Sequence, residues 1–154
     1  MFDTVVIATD GSGSAQRAVE AALDLAAHFD ATVHAVYVVD SSEVEAEAED
    51  IRNTLERALA TTGGRALSFV HEAAESDGAD DVVTAVREGD PAEEIIQYAT
   101  DEDADVIATG TRGRHGDHGF LLGSVAEQIV RRAPMPVLSV RQLEGEPNEE
   151  REAV

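Results

Sequence analysis

Short runs of apolar, β-branched residues alternate along this chain with longer amphipathic segments, and that alternation restricts the fold more than any other feature. A run such as Thr-Val-Val-Ile-Ala-Thr at 4–9 is too uniformly apolar to leave one face in water, as expected of a parallel strand covered by helices on both sides. Strands are expected at 4–9, 32–39, 82–87, 105–109 and 137–140, with four helices between them. The fold class that follows is α/β: a doubly wound, five-stranded parallel sheet with helices on both faces. Parallel crossovers are right-handed, so the winding must reverse once. The simplest reversal lies between the first and fourth strands, giving the order 3-2-1-4-5 and a crevice where ligands bind.

The helices carry their own start signals. The first, about 14–28, has Ala18, Ala21, Ala22, Leu25 and Ala26 at helical spacing behind a Gly-Ser turn. In the second, Ile51, Leu55, Ala58, Thr62, Ala66, Phe69 and Ala73 step by three or four straight through Gly63-Gly64. The pair therefore reads as a kink in one long helix, with a true turn as the alternative. The third opens at Asp90-Pro91-Ala92-Glu93, where Asp90 can cap and Pro91 fits the first turn, and runs to about Thr100. The fourth opens with Ser124-Val125-Ala126-Glu127, a second capping-box pattern, and ends near Arg132 before Pro134 and Pro136. One domain is expected over 1–141, and the acidic tail 142–154 is expected to be disordered.

Composition excludes whole mechanisms. All 11 basic residues are arginine, against 32 acidic ones, for a net charge of −21. Without lysine there is no GxxxxGK[ST] phosphate loop, no kinase lysine, no Schiff base and no receiver-type lysine. Without cysteine there is no thiol nucleophile, thiolate metal site or disulfide. The charge disfavours nucleic acid and anionic membranes as partners. The opening residues lack a basic signal region and no apolar stretch approaches the ~20 residues of a membrane span, so a cytoplasmic location is expected. An acid excess without lysine also suits a salt-rich, halophilic cytoplasm, because molar salt shortens the Debye length to ~3 Å; an acidic protein of an ordinary mesophile is the alternative.

Two loops can carry chemistry. After the fourth strand, residues 110–124 are rich in glycine and end at a helix N-terminus, where backbone N–H groups and the helix dipole favour phosphate. Residues 112–141 hold Arg112, Arg114, Arg131, Arg132 and Arg141 against Asp117 and Glu127, a local +3 in a chain whose other residues sum to −24. Arg131 and Arg132 equally suit a helix C-terminus. The facing loop, Ala8-Thr9-Asp10-Gly11-Ser12-Gly13, is no dinucleotide fingerprint, because Gln16 stands where GxGxxG needs glycine. Asp10 can accept from ribose hydroxyls or hold a divalent cation against phosphates, or it can simply cap the first helix. His115 and His118 have metal-pair spacing, but Gly113, Gly116 and Gly119 argue against a helix there. His28, His34 and His71 read as packed or solvated, and no Ser-His-Asp arrangement can be placed.

Gly110-x-x-Gly113, nine residues, then Gly123-Ser124 resembles the signature of the ATP-binding branch of the universal stress protein (UspA-type) family. The likeness spans about 2–141 and includes the strand ending in Thr9-Asp10, Tyr37-Val38-Val39-Asp40, Gly89-Asp90-Pro91 and Phe120-Leu121-Leu122-Gly123-Ser124. The resemblance implies a Rossmann-like fold of the adenine nucleotide alpha hydrolase type. It implies an adenine held at Val38, a ribose near Asp10 with Ala8 and Thr9 beside it, and phosphates enclosed by Gly110, Gly113, Gly123, Ser124 and Val125, often with Mg²⁺ or Mn²⁺. Relatives commonly carry an apolar and then a basic residue in mid-loop, where this chain has Asp117, His118 and Gly119; Arg112 and Arg114 can compensate.

The function expected is a cytoplasmic stress-response regulator that binds ATP, or AMP or ADP, and acts as a homodimer. The dimer would form through the edge strand that begins at Pro136 and ends at Val140. The alternative is a dimeric interaction module of the same fold that binds no nucleotide. No catalytic residue is assigned, and slow ATP hydrolysis is the most that Asp10 could support as a base.

Overall fold

A computed structural model describes residues 2–10, 15–43, 49–76, 81–111 and 122–141. In chain order these form β1 (Thr4–Ala8), α1 (Gln16–Phe29), β2 (Thr32–Asp40), a 3-10 turn (Ser41–Glu43), α2 (Glu49–Ser76), β3 (Val82–Gly89), α3 (Pro91–Asp101), β4 (Val106–Gly110), α4 (Ser124–Arg132) and β5 (Val137–Val140). The strands make one sheet in the order β3-β2-β1-β4-β5, every neighbouring pair parallel. This is the doubly wound α/β fold, reversing between β1 and β4.

Alternation along each strand divides the core into two layers. Val5 and Ile7 of β1 face Val19, Leu23 and Ala26 of α1 and Val70 of α2. Val6 and Ala8 face the other way, into Ile95 and Tyr98 of α3 and Ile129 of α4. The central strand is thus buried on both faces, which is why its sequence shows no polar alternation. The start of the sheet is tied by Asp105, whose Oδ2 accepts from the amides of Asp3 at 2.8 Å and Thr4 at 3.0 Å. That capture explains why β4 begins at Val106, one residue later than expected.

The helices depart from expectation in detail. On α1 the buried stripe takes Val19 and Leu23 with Ala18, Ala22 and Ala26, leaving Ala21 and Leu25 partly exposed. On α2 it takes Gly63, Ala66, Leu67, Val70 and Ala74, whereas Ile51, Ala58 and Phe69 are exposed. The helix runs unbroken through Gly63-Gly64, so the turn alternative is excluded. The reason for Gly63 is steric: a Cβ there would lie 2.7 Å from Cε2 and 3.0 Å from Cγ of Tyr37, a fully buried ring of β2. At Gly64 a Cβ would meet nothing within 4 Å. The start of α3 is as expected, with Asp90 Oδ2 accepting from the Glu93 amide at 3.1 Å.

Candidate functional site

The site is built where the sheet reverses. β1 and β4 lie side by side with Ile7 opposite Ala108, so both reach the same rim and diverge there to helices on opposite faces. β1 ends at Ala8, one residue earlier than expected, but the Thr9 amide still donates to the Val36 carbonyl at 3.1 Å and Thr9 stays buried. Asp10 follows, half-buried, at the mouth. It does not cap α1: the cap position is Ala15 and carries no side-chain hydrogen bond.

β2 overruns β1. Ala8 pairs with Val36, which puts Val38 two residues further on, level with Asp10. The Val36 carbonyl points at β1, and by strand alternation the amide and carbonyl of Val38 point to the same side, a step beyond that bond. Val38 itself is half-buried. Backbone donors and acceptors at an outgrown strand end can pair with the edge of a planar heterocycle.

The opposite wall comes from β4 and α4. Thr109 and Gly110 are buried, and the Gly123 amide donates to the Thr111 carbonyl at 2.6 Å. That bond seats the start of α4 directly beyond β4. Gly123, in extended backbone, is the N-cap, and Glu127 N–H donates to its carbonyl at 2.9 Å. Ser124 is therefore the first helical residue and not the cap expected from Ser-x-x-Glu. A glycine cap offers no side chain to the first-turn amides, so the N–H groups of Ser124 and Val125 need a partner from outside the helix. The Ser124 side chain is exposed and Val125 half-buried. Arg112, Gly113 and Arg114 lie outside the described residues, as do His115, Asp117, His118 and Gly119.

Thus Ala8, Thr9, Asp10, Val38, Gly110, Gly123, Ser124 and Val125 meet around one rim. Arg131 and Arg132 of the basic island do not. Both occupy the far turn of α4, about 10 Å along the axis from Ser124 at ~1.5 Å per residue. They turn to Glu127 at 3.6 Å and to Gln128 Oε1 at 3.3 Å. Sequence reasoning missed Arg17: from the first turn of α1 its Nη1 donates to the Arg141 carbonyl at 2.5 Å, fixing the end of β5. That contact bridges 124 positions and has no local signal.

The remaining histidines are structural. His34, 8% exposed, lies with Nδ1 2.7 Å from the Tyr98 hydroxyl, and the Arg87 guanidinium sits 5.0 Å from that ring's centroid. Burial, and then the carboxylate of Glu102, push the Tyr98 hydroxyl above its usual range, with Arg87 opposing. His28 and His71 face Asp24 and Glu75 within their own helices. Among the described residues there is no cluster of three or more ligating side chains for a metal, and no helix long and apolar enough to cross a membrane. A groove of about 450 Å³ beside Gly64, Arg65 and Phe69 is lined by residues of α2.

The family model described as Universal stress protein family matches residues 1–141. A universal stress protein of Methanocaldococcus jannaschii is 40% identical over 143 residues, covering 92% of this chain and 84% of that one. The structure of the universal stress protein UspA of Lactobacillus plantarum superposes with a TM-score of 0.82 at 26% identity, covering 91% of this chain and 98% of that one. A universal stress protein solved in complex with cAMP superposes with a TM-score of 0.70 at 27% identity, covering 92% and 98%. With its sheet order, its rim and its sequence in agreement, this chain belongs to the universal stress protein family.

Proposed function

We propose that this protein is a stress-response regulator that binds an adenine nucleotide, ATP or AMP or ADP, in the crevice between β1 and β4. The observation that carries the reading is the Gly123 to Thr111 bond. It holds the uncapped first turn of α4 beside the end of β4, across the rim from Asp10, which is the arrangement a phosphate needs when no lysine is present. The adenine edge meets the backbone of Val38, the ribose meets Asp10 with Ala8 and Thr9 behind it, and the phosphates take the amides of Gly110, Gly123, Ser124 and Val125. Gly113, Arg112 and Arg114 complete the cradle. A relative of the same fold that holds cAMP supports the choice of base.

Mg²⁺ or Mn²⁺ fits as a companion of the phosphates, since among the described residues Asp10 and the Ser124 hydroxyl offer oxygen ligands at the rim and the nucleotide supplies others. When bound, the ion neutralises phosphate charge in this strongly acidic protein. The exposed edge of β5, paired on one side only with β4, supports a homodimer by antiparallel pairing of two copies.

Calorimetry with ATP and Mg²⁺ in molar KCl tests the reading. Wild type should give a saturable heat that Gly113→Asp abolishes, because the new carboxylate opposes the phosphates. Asp117, in the middle of the loop, favours a second reading, an interaction module without nucleotide. Absence of heat from the wild type would establish that one instead.

A further inference from the structure

β3 forms one edge of the sheet, paired along its length with β2, and among the described residues no strand lies beyond it. It is the least covered of the five strands, and on both faces. Val82 packs against the layer of α1 and α2 and Ala85 against the layer of α3 and α4, so by alternation Val86 shares the first side and Val83 the second. Val86 is nevertheless 50% exposed and Val83 44%. β-branched residues left in water on both faces of an open edge are what an added strand would cover. Arg87 is exposed beside them, 5.0 Å over the Tyr98 ring and donating to the Val86 carbonyl at 3.4 Å, with no carboxylate partner among the described residues.

We infer that this edge pairs antiparallel with β3 of a second copy of the chain, about a two-fold axis through Thr84. From Asp81 to Arg87 the sequence reads acid, Val, Val, Thr, Ala, Val, base. Laid antiparallel on itself, it sets Asp81 opposite Arg87, Val82 opposite Val86 and Val83 opposite Ala85, each twice, with Thr84 opposite its own mate. Opposite residues of an antiparallel pair share a face, so the axis must pass through a residue. Moved to Ala85, it sets Val83 against Arg87 and Val82 against Glu88; moved to Val83, it sets Asp81 against Ala85. Of these registers the one through Thr84 matches apolar with apolar and acid with base. The two sheets then continue into one, and because the copies run in opposite senses, each crevice rim lies beside the far end of its partner's sheet and stays open. The pairing uses the edge opposite β5 and rests neither on that strand nor on the nucleotide reading.

The test is Thr84→Cys in the full chain, oxidised with copper phenanthroline in molar KCl, where a Debye length of ~3 Å screens the repulsion between two bodies of charge −21. Opposite Cα atoms of an antiparallel pair lie about 4.5–5.5 Å apart, within the ~4.4–6.8 Å that a disulfide spans, and the chain has no cysteine of its own. Thr84→Cys should therefore give a covalent dimer, while Glu88→Cys, about 27 Å from its mate at ~3.4 Å per residue, stays unlinked. Adding Arg87→Asp to Thr84→Cys sets like charges opposite each other at two places and should slow linking about tenfold, each pair shifting association a few-fold. Adding Asp81→Arg as well should restore the rate to within about twofold. That rescue separates the pairing from loss of the Tyr98 contact, which both variants share. No covalent dimer from Thr84→Cys, equal linking from Glu88→Cys, or a charge reversal at Arg87 without effect or without rescue would overturn the pairing.

Discussion

Replacing either glycine of the Gly63-Gly64 pair by alanine tests how α2 lies on the sheet. In a helix interior the exchange gains about 1 kcal/mol from propensity alone. At Gly64 nothing lies within 4 Å of the new methyl, so most of that gain should survive. At Gly63 the methyl comes within 3.0 Å of the Tyr37 ring, which is 1% exposed. Overpacking a close-packed core costs about 1–3 kcal/mol, and contacts this short place the site near the upper value. The net expectation is a loss of about 1–2 kcal/mol for Gly63→Ala and a gain of about 0.5–1 kcal/mol for Gly64→Ala. At roughly 2–4 °C per kcal/mol for a chain of this size, the two variants should be separated by about 3–12 °C in Tm, on opposite sides of wild type. Thermal unfolding followed by circular dichroism in molar KCl reads this directly. In a Tyr37→Leu background the Gly63→Ala penalty should largely vanish, because the contact is pairwise. If both single variants raise Tm alike, Gly63 does not press on Tyr37 and α2 does not turn that residue toward the sheet.

Three further outcomes concern the buried His34–Tyr98 pair and the surface charge. Tyr98→Phe leaves His34 Nδ1 without its hydroxyl partner in a buried site, at a cost of about 1–3 kcal/mol in urea unfolding. Because the folded protein raises the Tyr98 pKa, the neutral hydroxyl contributes stability that is intact below about pH 10, the ordinary value, and lost as pH climbs through the folded one; wild type should therefore show an alkaline decline there that Tyr98→Phe flattens. With a net charge of −21, raising KCl from about 0.1 M, where the Debye length is ~10 Å, to molar strength should raise Tm, and an unchanged Tm would favour the ordinary mesophile over the salt-rich cytoplasm expected from composition.

The sheet was legible because a strand buried on both faces writes a continuous apolar run, and β1 and β4 do so without ambiguity. The face of α2 was not. Its alanine-rich sequence supports more than one three-and-four stripe, and the one drawn through Ile51, Ala58 and Phe69 lies on the exposed side. The residue that lies against the Tyr37 ring is Gly63, where a side chain has no room. At α4 the pattern Ser-x-x-Glu satisfied the capping rule, yet Gly123 took the cap because its amide was already committed to Thr111. The rim residues Asp10, Gly110 and Ser124 could be brought together from strand order alone, since each follows or precedes an element whose place was known. His34 with Tyr98, 64 positions apart, and Arg17 with Arg141 depend on how the layers pack, and no local pattern announces either pair.

Amide hydrogen exchange with and without MgATP in molar KCl tests most directly whether main-chain groups at the β1–β4 reversal hold the nucleotide. Exchange should slow at Gly110, Ser124, Val125 and Val38, while the outer face of α2 around Arg65 and Phe69 stays unchanged. Slowing confined to α2, or none at the first turn of α4 under saturating nucleotide, would contradict the account.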